Sequence, residues 1–358
     1  MADPDIAVSV IVSTRNRAHF LSDCLASLAA QRSTVPYEVV VIDNGSTDGT
    51  QEILDRWSRS DARFRTGRED RVGLSRGMNA GIGMARGSLL LFTDDDVVAD
   101  PAWVKAYVEL FSRLGDVAAL AGGPIVPIAE DLGHWPAWFH PDGLVDLGLR
   151  SYPEERQLGA AEYVFGGNMA IPAELFRRWG LWDEALGNRG DHRGTFEDTE
   201  FQDRVRPSGV EIWFCPSAIV KHRVSSRNAS ARAVISRAFQ GGRNDFWREG
   251  LRRYGDETSV PPRSFFGGGL SLAGDLAREA VRTAAFRASP SPGSFDRARR
   301  AARRTGWTME TLRPHRGSTR LFRGVAKATL LTRALLTRLI PSAPEPTGTS
   351  DQRRRREL

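Results

Sequence analysis

The sequence predicts an α/β fold, a mostly parallel sheet flanked by helices and followed by a helical C-terminal extension, and three observations lead there. β-branched apolar runs at 7–13 (AVSVIVS) and 37–43 (YEVVVID) bracket a stretch in which Phe20, Leu21, Cys24, Leu25 and Leu28 recur at helical spacing, which makes a βαβ unit. Carboxylates close two separate apolar strands: Asp43 ends the second, and Asp94, Asp95 and Asp96 follow SLLLFT. In parallel sheets ligands gather at the carboxyl ends of strands, so both segments point at one crevice. The composition then breaks near residue 225: positions 1–225 hold 23 Lys and Arg against 33 Asp and Glu, whereas 226–358 hold 27 against 11.

The elements follow in order. Asn44 to Thr50 (NGSTDGT) supplies turn and capping residues for a helix through Trp57, Leu74 to Arg86 reads as a third helix, and Ser88 to Thr93 as a strand. Pro101 is expected at the first turn of a helix to Leu114, before a short strand at 117–122. Residues 124–163 are rich in Trp, Pro and Gly and carry His134, Trp135, Trp138, Phe139 and His140 without periodicity, as in a loop or lid. A compact turn at 165–170, a helix from Pro172 to Trp179 and a loop at 187–196 lead to Glu197 and Asp198 at the start of a helix through Val205. Glu211 to Cys215 is the last strand of the body, and Ser217 to Arg223 carries His222. Helical stretches are expected near 229–254, 270–288 and 319–340; in the last, leucines face one way and Arg320, Arg323, Lys327 and Arg338 the other. The resulting division is a body at 1–225, a basic helical region at 226–340 and a charged, disordered tail at 341–358.

With 358 residues and 41% hydrophobic content, the chain can bury one large core and an appendage. Cys24 and Cys215 lie in apolar stretches and read as buried thiols of a reducing compartment. The N-terminus lacks the pattern of a secretory signal, and no run approaches the about 20 apolar residues that span a bilayer. The expectation is a cytoplasmic protein. The basic amphipathic segment at 319–340 either lies in an anionic membrane interface or packs on the body.

Three like charges at the mouth of a buried strand repel one another and resist desolvation, so a cation is the economical partner. Asp94 and Asp96 are spaced to hold Mg²⁺ or Mn²⁺ through oxygen, leaving coordination positions for water and phosphate, and a nucleotide diphosphate meets that demand. Asp43 is placed to bind a base or ribose, and Thr14, Arg15 and Asn16 lie where a nucleotide would rest.

The segments VSVIVSTRNR (8–17), VVVIDNGSTDGT (39–50), GLSRGMNAGIGMARG (73–87), LLLFTDDDV (89–97), FGGNMAIP (165–172), FEDTEFQDRV (196–205) and IVKHR (219–223), in that order, resemble the nucleotide-sugar glycosyltransferases of family 2, with a GT-A fold. The resemblance covers about residues 7–224. It implies an inverting transfer in which Asp43 binds the base and Asp94 and Asp96 form a D-x-D-like element for ribose, metal and diphosphate, with Asp95 beside them. It also implies Asp198 as general base, with Glu197 positioning the acceptor or bonding structurally, and Gly166, Gly167 and Asn168 beside sugar and acceptor. His222 would complete the metal site or contact the diphosphate. The sequence departs from the family in two places. The first loop reads STRNR where many members carry Pro and an aromatic residue, and Gly77-Met78-Asn79 replaces Ala-Arg-Asn, leaving Arg76 as a possible substitute and Asn79 in the donor site.

The expected partners are a nucleotide-diphosphate sugar and a glycan, lipid-linked or small-molecule acceptor, with a role in envelope polysaccharide or glycoconjugate synthesis. A nucleotidyltransferase would share such a body, but STRNRAHF lacks the glycines of a triphosphate loop. A polyanion-binding protein would use the basic tail, which shows no nucleic-acid motif.

Overall fold

The computed structural model describes residues 6–129, 152–188, 196–225, 229–254 and 265–310. They fall into two compact units, one ending at Arg223 and the other beginning at Val224.

In the first unit β1 (Val8–Thr14), β2 (Tyr37–Asp43), β3 (Phe64–Arg68), β4 (Leu89–Thr93), β6 (Ala119–Gly122), β8 (Arg156–Gln157), β9 (Asn168–Pro172) and β10 (Glu211–Phe214) form one sheet in the order β3-β2-β1-β4-β9-β6-β10-β8. A smaller sheet orders β5 (Val97–Ala99), β11 (Val220–Val224) and β7 (Ile125–Ala129) as β5-β11-β7. β2 and β4 are buried throughout, which is why they read as continuous apolar runs rather than alternating ones. The flanking helices are α1 (Ala18–Ala29), α2 (Thr50–Ser60), α3 (Leu74–Met84), α4 (Trp103–Leu114), α5 (Ala173–Trp179) and α6 (Glu197–Val205).

β1, β2, β3 and β4 are parallel, as are β6 and β10, but β9 runs antiparallel to both β4 and β6. That reversal matters for the site. With Asn168 opposite Thr93, β9 begins where β4 ends, so the glycine turn before it sits at the carboxyl ends of the parallel strands. On the other side Thr14 pairs with Asp43 and Val12 with Thr93, which brings Thr14 level with Asp95. His222 pairs with Val97 across β11 and β5, next to Asp96.

Several elements differ from the sequence reading. The expected turn at 165–170 is a turn only before Asn168; its remainder is the central strand β9, whose Asn-Met-Ala-Ile-Pro lacks a β-branched run because its neighbours supply the bulk. β3 and β5 were not anticipated: β3 buries only Phe64 fully, and β5 has three residues. Pro101 precedes α4 in a turn instead of opening the helix. Two short strands, β7 and β8, lie within 124–163. The residues 134–140 of the expected lid and the segment 319–340 lie outside the described residues.

α6 packs beneath a cluster of Phe92, Phe176, Trp182 and Phe201, with ring centroids 4.7–5.7 Å apart. Its Gln202 donates to Val164 O and accepts from Val164 N, fixing the helix to the chain just before the glycine turn.

The second unit holds α7 (Ala231–Tyr254), α8 (Phe265–Ala288) and α9 (Pro292–Glu310), with α9 packed on both others. The last of these was missed from sequence, since its buried face of Phe295, Ala298, Ala302 and Thr305 is small and set among arginines. Phe286 meets Phe295 at 5.3 Å, and the buried Asp275 accepts from Thr308 Oγ1 at 2.5 Å. Among the described residues no helix is long and apolar enough to cross a membrane.

Candidate active site

Thr14 is buried, and its hydroxyl donates to Asp95 Oδ2 at 2.7 Å. Asn16, in the left-handed region at φ 54°, accepts from Thr47 N at 2.7 Å, while its own N–H donates to Ser46 Oγ. The loop after β1 is thereby tied to the turn after β2. In that turn Asp43, fully buried, accepts from Ser46 N at 2.8 Å and from Arg68 Nη1 at 2.9 Å. Arg15 is exposed.

The Asp94–Asp96 cluster has one arginine seated on it. Arg17 bonds to Asp96 Oδ2, and its Nε lies 3.1 Å from Asp95 Oδ1. The other oxygen of Asp96 is 3.3 Å from His222 Nε2. Asp94, Asp96 and His222 each offer a donor atom within 4.8 Å of one another, the one such group among the described residues. Two carboxylates and an imidazole suit Mn²⁺ and accommodate Mg²⁺, and His222 Nδ1 is buried without a hydrogen-bond partner, so the residues fit a divalent cation.

The glycine turn joins this cluster to the pair on α6. Gly166 N donates to Asp198 Oδ2 at 2.9 Å, and a Cβ on Gly167 would come within 2.6 Å of Asp94 Oδ2. Gly167 thus leaves no room for a side chain against Asp94, whereas a Cβ on Gly166 would only touch Asp198 at 3.7 Å. Asp198 Oδ1 also accepts from Thr199 N and Oγ1 at 2.7 and 3.0 Å. Glu197 has one buried oxygen with no partner, against Gly187 at φ 80°, where a Cβ would lie 3.2 Å from Oε2. Phe196, which leads into the pair, holds φ 104°, a conformation that costs a non-glycine residue of order 1–3 kcal/mol and is found mostly at functional sites.

The other expected residues go elsewhere. Arg76 pairs with Glu184 at 3.1 Å, and Asn79 clasps the backbone of Trp182 with its amide, so both hold the 182–184 segment rather than meeting the acids. Asn168 turns its side chain into the core, accepting from Trp103 Nε1 and Tyr107 Oη and donating to Pro124 O and Ala218 O, all at 2.7–2.9 Å. Gly77, in the departing third helix, packs on Ser13, and a Cβ there would overlap the Ser13 hydroxyl.

Arg17 and Arg68 were not singled out from sequence. The available signal was charge balance: acids at a strand end call for a cation nearby, and Arg17 stands three residues beyond the end of β1.

Burial in this cleft raises Asp94 to about 6, helped by Asp96, and raises Asp95 to about 7. Burial and the neighbouring Asp198 charge push Glu197 up to about 8. Asp198 is raised by burial, while Gly166 N–H and Thr199 oppose the rise. Burial opposes ionisation of Asp96 too, but the His222 hydrogen bond and the His222 and Arg17 charges outweigh it and bring it below the usual carboxylate range. His222 is raised, since its bond to Asp96 outweighs its own desolvation.

These directions fix a pH dependence. A carboxyl whose folded value is raised loses stabilisation as pH climbs from its unfolded value to its folded one, here from 4.5 to about 8 for Glu197. A raised histidine contributes fully below 6.5 and loses that contribution as pH rises through its folded value, so it acts in the same direction. Asp96, being lowered, loses stabilisation only as pH falls below 3.8, outside this window. The Tm of the metal-free protein is therefore expected to fall by ~4–8 °C between pH 5 and 8, the effect of about 2 kcal/mol in a body of this size. Calorimetry in a chelator checks this, and Glu197→Gln should flatten the slope; a wild-type profile without slope would refute it.

This fold is an α/β sheet, mostly parallel, with an acidic cluster gathered at the carboxyl ends of its strands. Residues 9–179, from β1 through α5, match the family model for glycosyl transferase family 2. That segment carries the family's domain, and the chain is a glycosyltransferase. It is similar to glucosyl-dolichyl phosphate glucuronosyltransferase of Haloferax volcanii (23% identical, covering 66% of this chain and 75% of that one). It is also similar to glycosyltransferase AglE of the same organism (27%, 60% and 66%) and to chondroitin synthase of Escherichia coli (31%, 60% and 34%). Among solved structures, S. aureus TarS 1–349 in complex with UDP-GlcNAc aligns with a TM-score of 0.48 at 15% identity, over 86% of this chain and 90% of that one.

Proposed function

We propose that the protein transfers a sugar from a nucleotide-diphosphate donor to an acceptor hydroxyl with inversion at the anomeric carbon, assisted by a divalent metal. The observation that carries this reading is the pair of consecutive glycines, one bonded to Asp198 and the next against Asp94. They bring Asp198, a carboxylate suited to proton removal, and Asp94, one suited to the diphosphate, against neighbouring residues of one turn, which supports this reading. Asp94, Asp96 and His222 would hold Mg²⁺ or Mn²⁺, whose positive charge would stabilise the leaving diphosphate.

The protein's own residues divide the remaining work. Asp43 faces the base or ribose from the end of β2, and Thr14 keeps Asp95 turned toward the donor. Asp198, held by Gly166 N–H and Thr199, takes the proton as the acceptor oxygen attacks the anomeric carbon and the bond to phosphate breaks on the opposite face. Glu197, raised to about 8, stays protonated at neutral pH and can donate a hydrogen bond to the acceptor. Two adjacent carboxyls thus take different roles because their surroundings separate them. A lipid-linked or envelope glycan acceptor accords with the names of the relatives, a dolichyl phosphate glycosyltransferase and a polysaccharide synthase among them.

A panel of UDP-, GDP- and dTDP-sugars with Mn²⁺ should reveal one donor that is slowly hydrolysed and, with acceptor, transferred. The anomeric proton coupling in the product, read by NMR, should show inversion. Retention would overturn the single-displacement mechanism, and inertness toward every donor by folded, metal-supplied protein would overturn the donor class.

A further inference from the structure

We propose that Arg17 is the resting counter-cation of the acid cluster: it competes with the divalent ion for Asp96 and passes to the donor's diphosphate when metal and nucleotide arrive together. This rests on the metal reading above and adds a residue and an order of events to it.

Asp96 serves two partners at once. One oxygen bonds Arg17, and the other faces His222 Nε2 at 3.3 Å within the Asp94, Asp96 and His222 donor group. A dication in that group would sit a few ångströms from the guanidinium, where like charges repel beside the buried Asp95 and Asp96. One of the two must leave Asp96, and His222 is held in a strand by its pairing with Val97.

Arg17 is the partner built to move. Its Nε lies 3.1 Å from Asp95 Oδ1 but off the line of a hydrogen bond, which leaves that buried N–H unsatisfied. Its side chain is 39% exposed, and its guanidinium rests 5.2 Å from the centre of the Phe20 ring. Among the described residues its ion-pair partners are Asp95 and Asp96. A planar guanidinium that leaves a carboxylate finds an equivalent two-oxygen partner in a diphosphate, which it binds through paired N–H groups. The same arginine therefore lowers affinity for metal alone and raises affinity for nucleotide with metal, so the two ligands enter cooperatively.

Mn²⁺ alone, titrated into the full chain and followed by the electron paramagnetic resonance of free ion, tests this without turnover. Arg17→Met should bind Mn²⁺ about tenfold more tightly than wild type, and Arg17→Lys should fall between, within the usual range of coupling between linked ligands. At saturating Mn²⁺, calorimetric titration with UDP and GDP should show that Arg17→Met weakens whichever diphosphate the wild type binds, by about fivefold or more. Equal or weaker Mn²⁺ binding by Arg17→Met overturns the proposal, as does a gain in Mn²⁺ affinity with undiminished diphosphate binding. If Arg17→Met folds only when Mn²⁺ is added, that dependence is the expected result in another form. If it fails to fold even then, Arg17→Lys decides: tighter Mn²⁺ binding supports competition, and wild-type affinity overturns it. Should no variant and no wild-type protein bind Mn²⁺, the metal reading falls and takes this proposal with it; wild-type binding unchanged by substitution sinks the Arg17 proposal alone.

Discussion

Asp198→Asn is expected to lower kcat by about 10²–10⁴ while the KM for donor changes little, because it removes a proton acceptor used in the transition state and leaves the donor contacts untouched. Asparagine keeps the size of the side chain, and its amide oxygen can still accept from Thr199 N and Oγ1, but Gly166 N, which bonds the other oxygen, loses its acceptor, a cost of about 1–3 kcal/mol that a body of this size can bear. The fold should therefore persist. Thermal melting separates the outcomes: a loss of activity in protein still folded at the assay temperature assigns the proton to Asp198. If Glu197→Gln gives the large loss and Asp198→Asn does not, the roles of the two carboxyls are exchanged. Steady-state kinetics at fixed metal, once a donor is known, supplies the measurement.

Asn168→Leu is expected to be among the most destabilising single changes in the body, by about 3–5 kcal/mol, or a fall of roughly 10 °C or more in Tm. The amide is 1% exposed and ties β9 to three other segments: it accepts from Trp103 and Tyr107 of α4 and donates to the carbonyls of Pro124 and Ala218. Leucine has nearly the same shape but satisfies none of these groups, so Trp103 Nε1 and Ala218 O lose their partner in the core, while Tyr107 Oη keeps the carbonyl of residue 168 at 3.3 Å and Pro124 O keeps Val220 N at 3.0 Å. Denaturant unfolding of the purified variant tests the claim. A loss under 1 kcal/mol would mean that the site relaxes or admits water.

Asn168 also shows where sequence reading reaches its limit. Its place beside Gly166 and Gly167 marked it for the sugar and acceptor, yet strand alternation turns successive residues to opposite sides, and the amide enters the core. Arg76 and Asn79 are similar. Both lie on α3 in the expected order, but local order says nothing of the 182–184 segment, some hundred residues away, that engages them. Arg17 is the opposite case: nothing in STRNR sets it above Arg15, and the acids that choose it lie nearly eighty positions further along the chain.

The parallel core was legible because β1, β2 and β4 are buried on both faces and so appear as unbroken apolar runs ending in polar residues. β9 was not, although it lies at the centre of the sheet, because a strand of five residues framed by glycines and proline has too little pattern to declare itself.

The sequence by itself determined that Asp43, Asp94, Asp95 and Asp96 end their strands and that Glu197 and Asp198 begin a helix, since strand and helix periods and turn residues act over short distances. Only the tertiary structure decided that an antiparallel strand brings the glycine turn between those two acidic groups, that β11 delivers His222 to Asp96, and that Arg17 rather than Arg15 occupies the cluster. Each depends on strand order and register, which are set by how distant segments pack together and leave no trace in the local pattern.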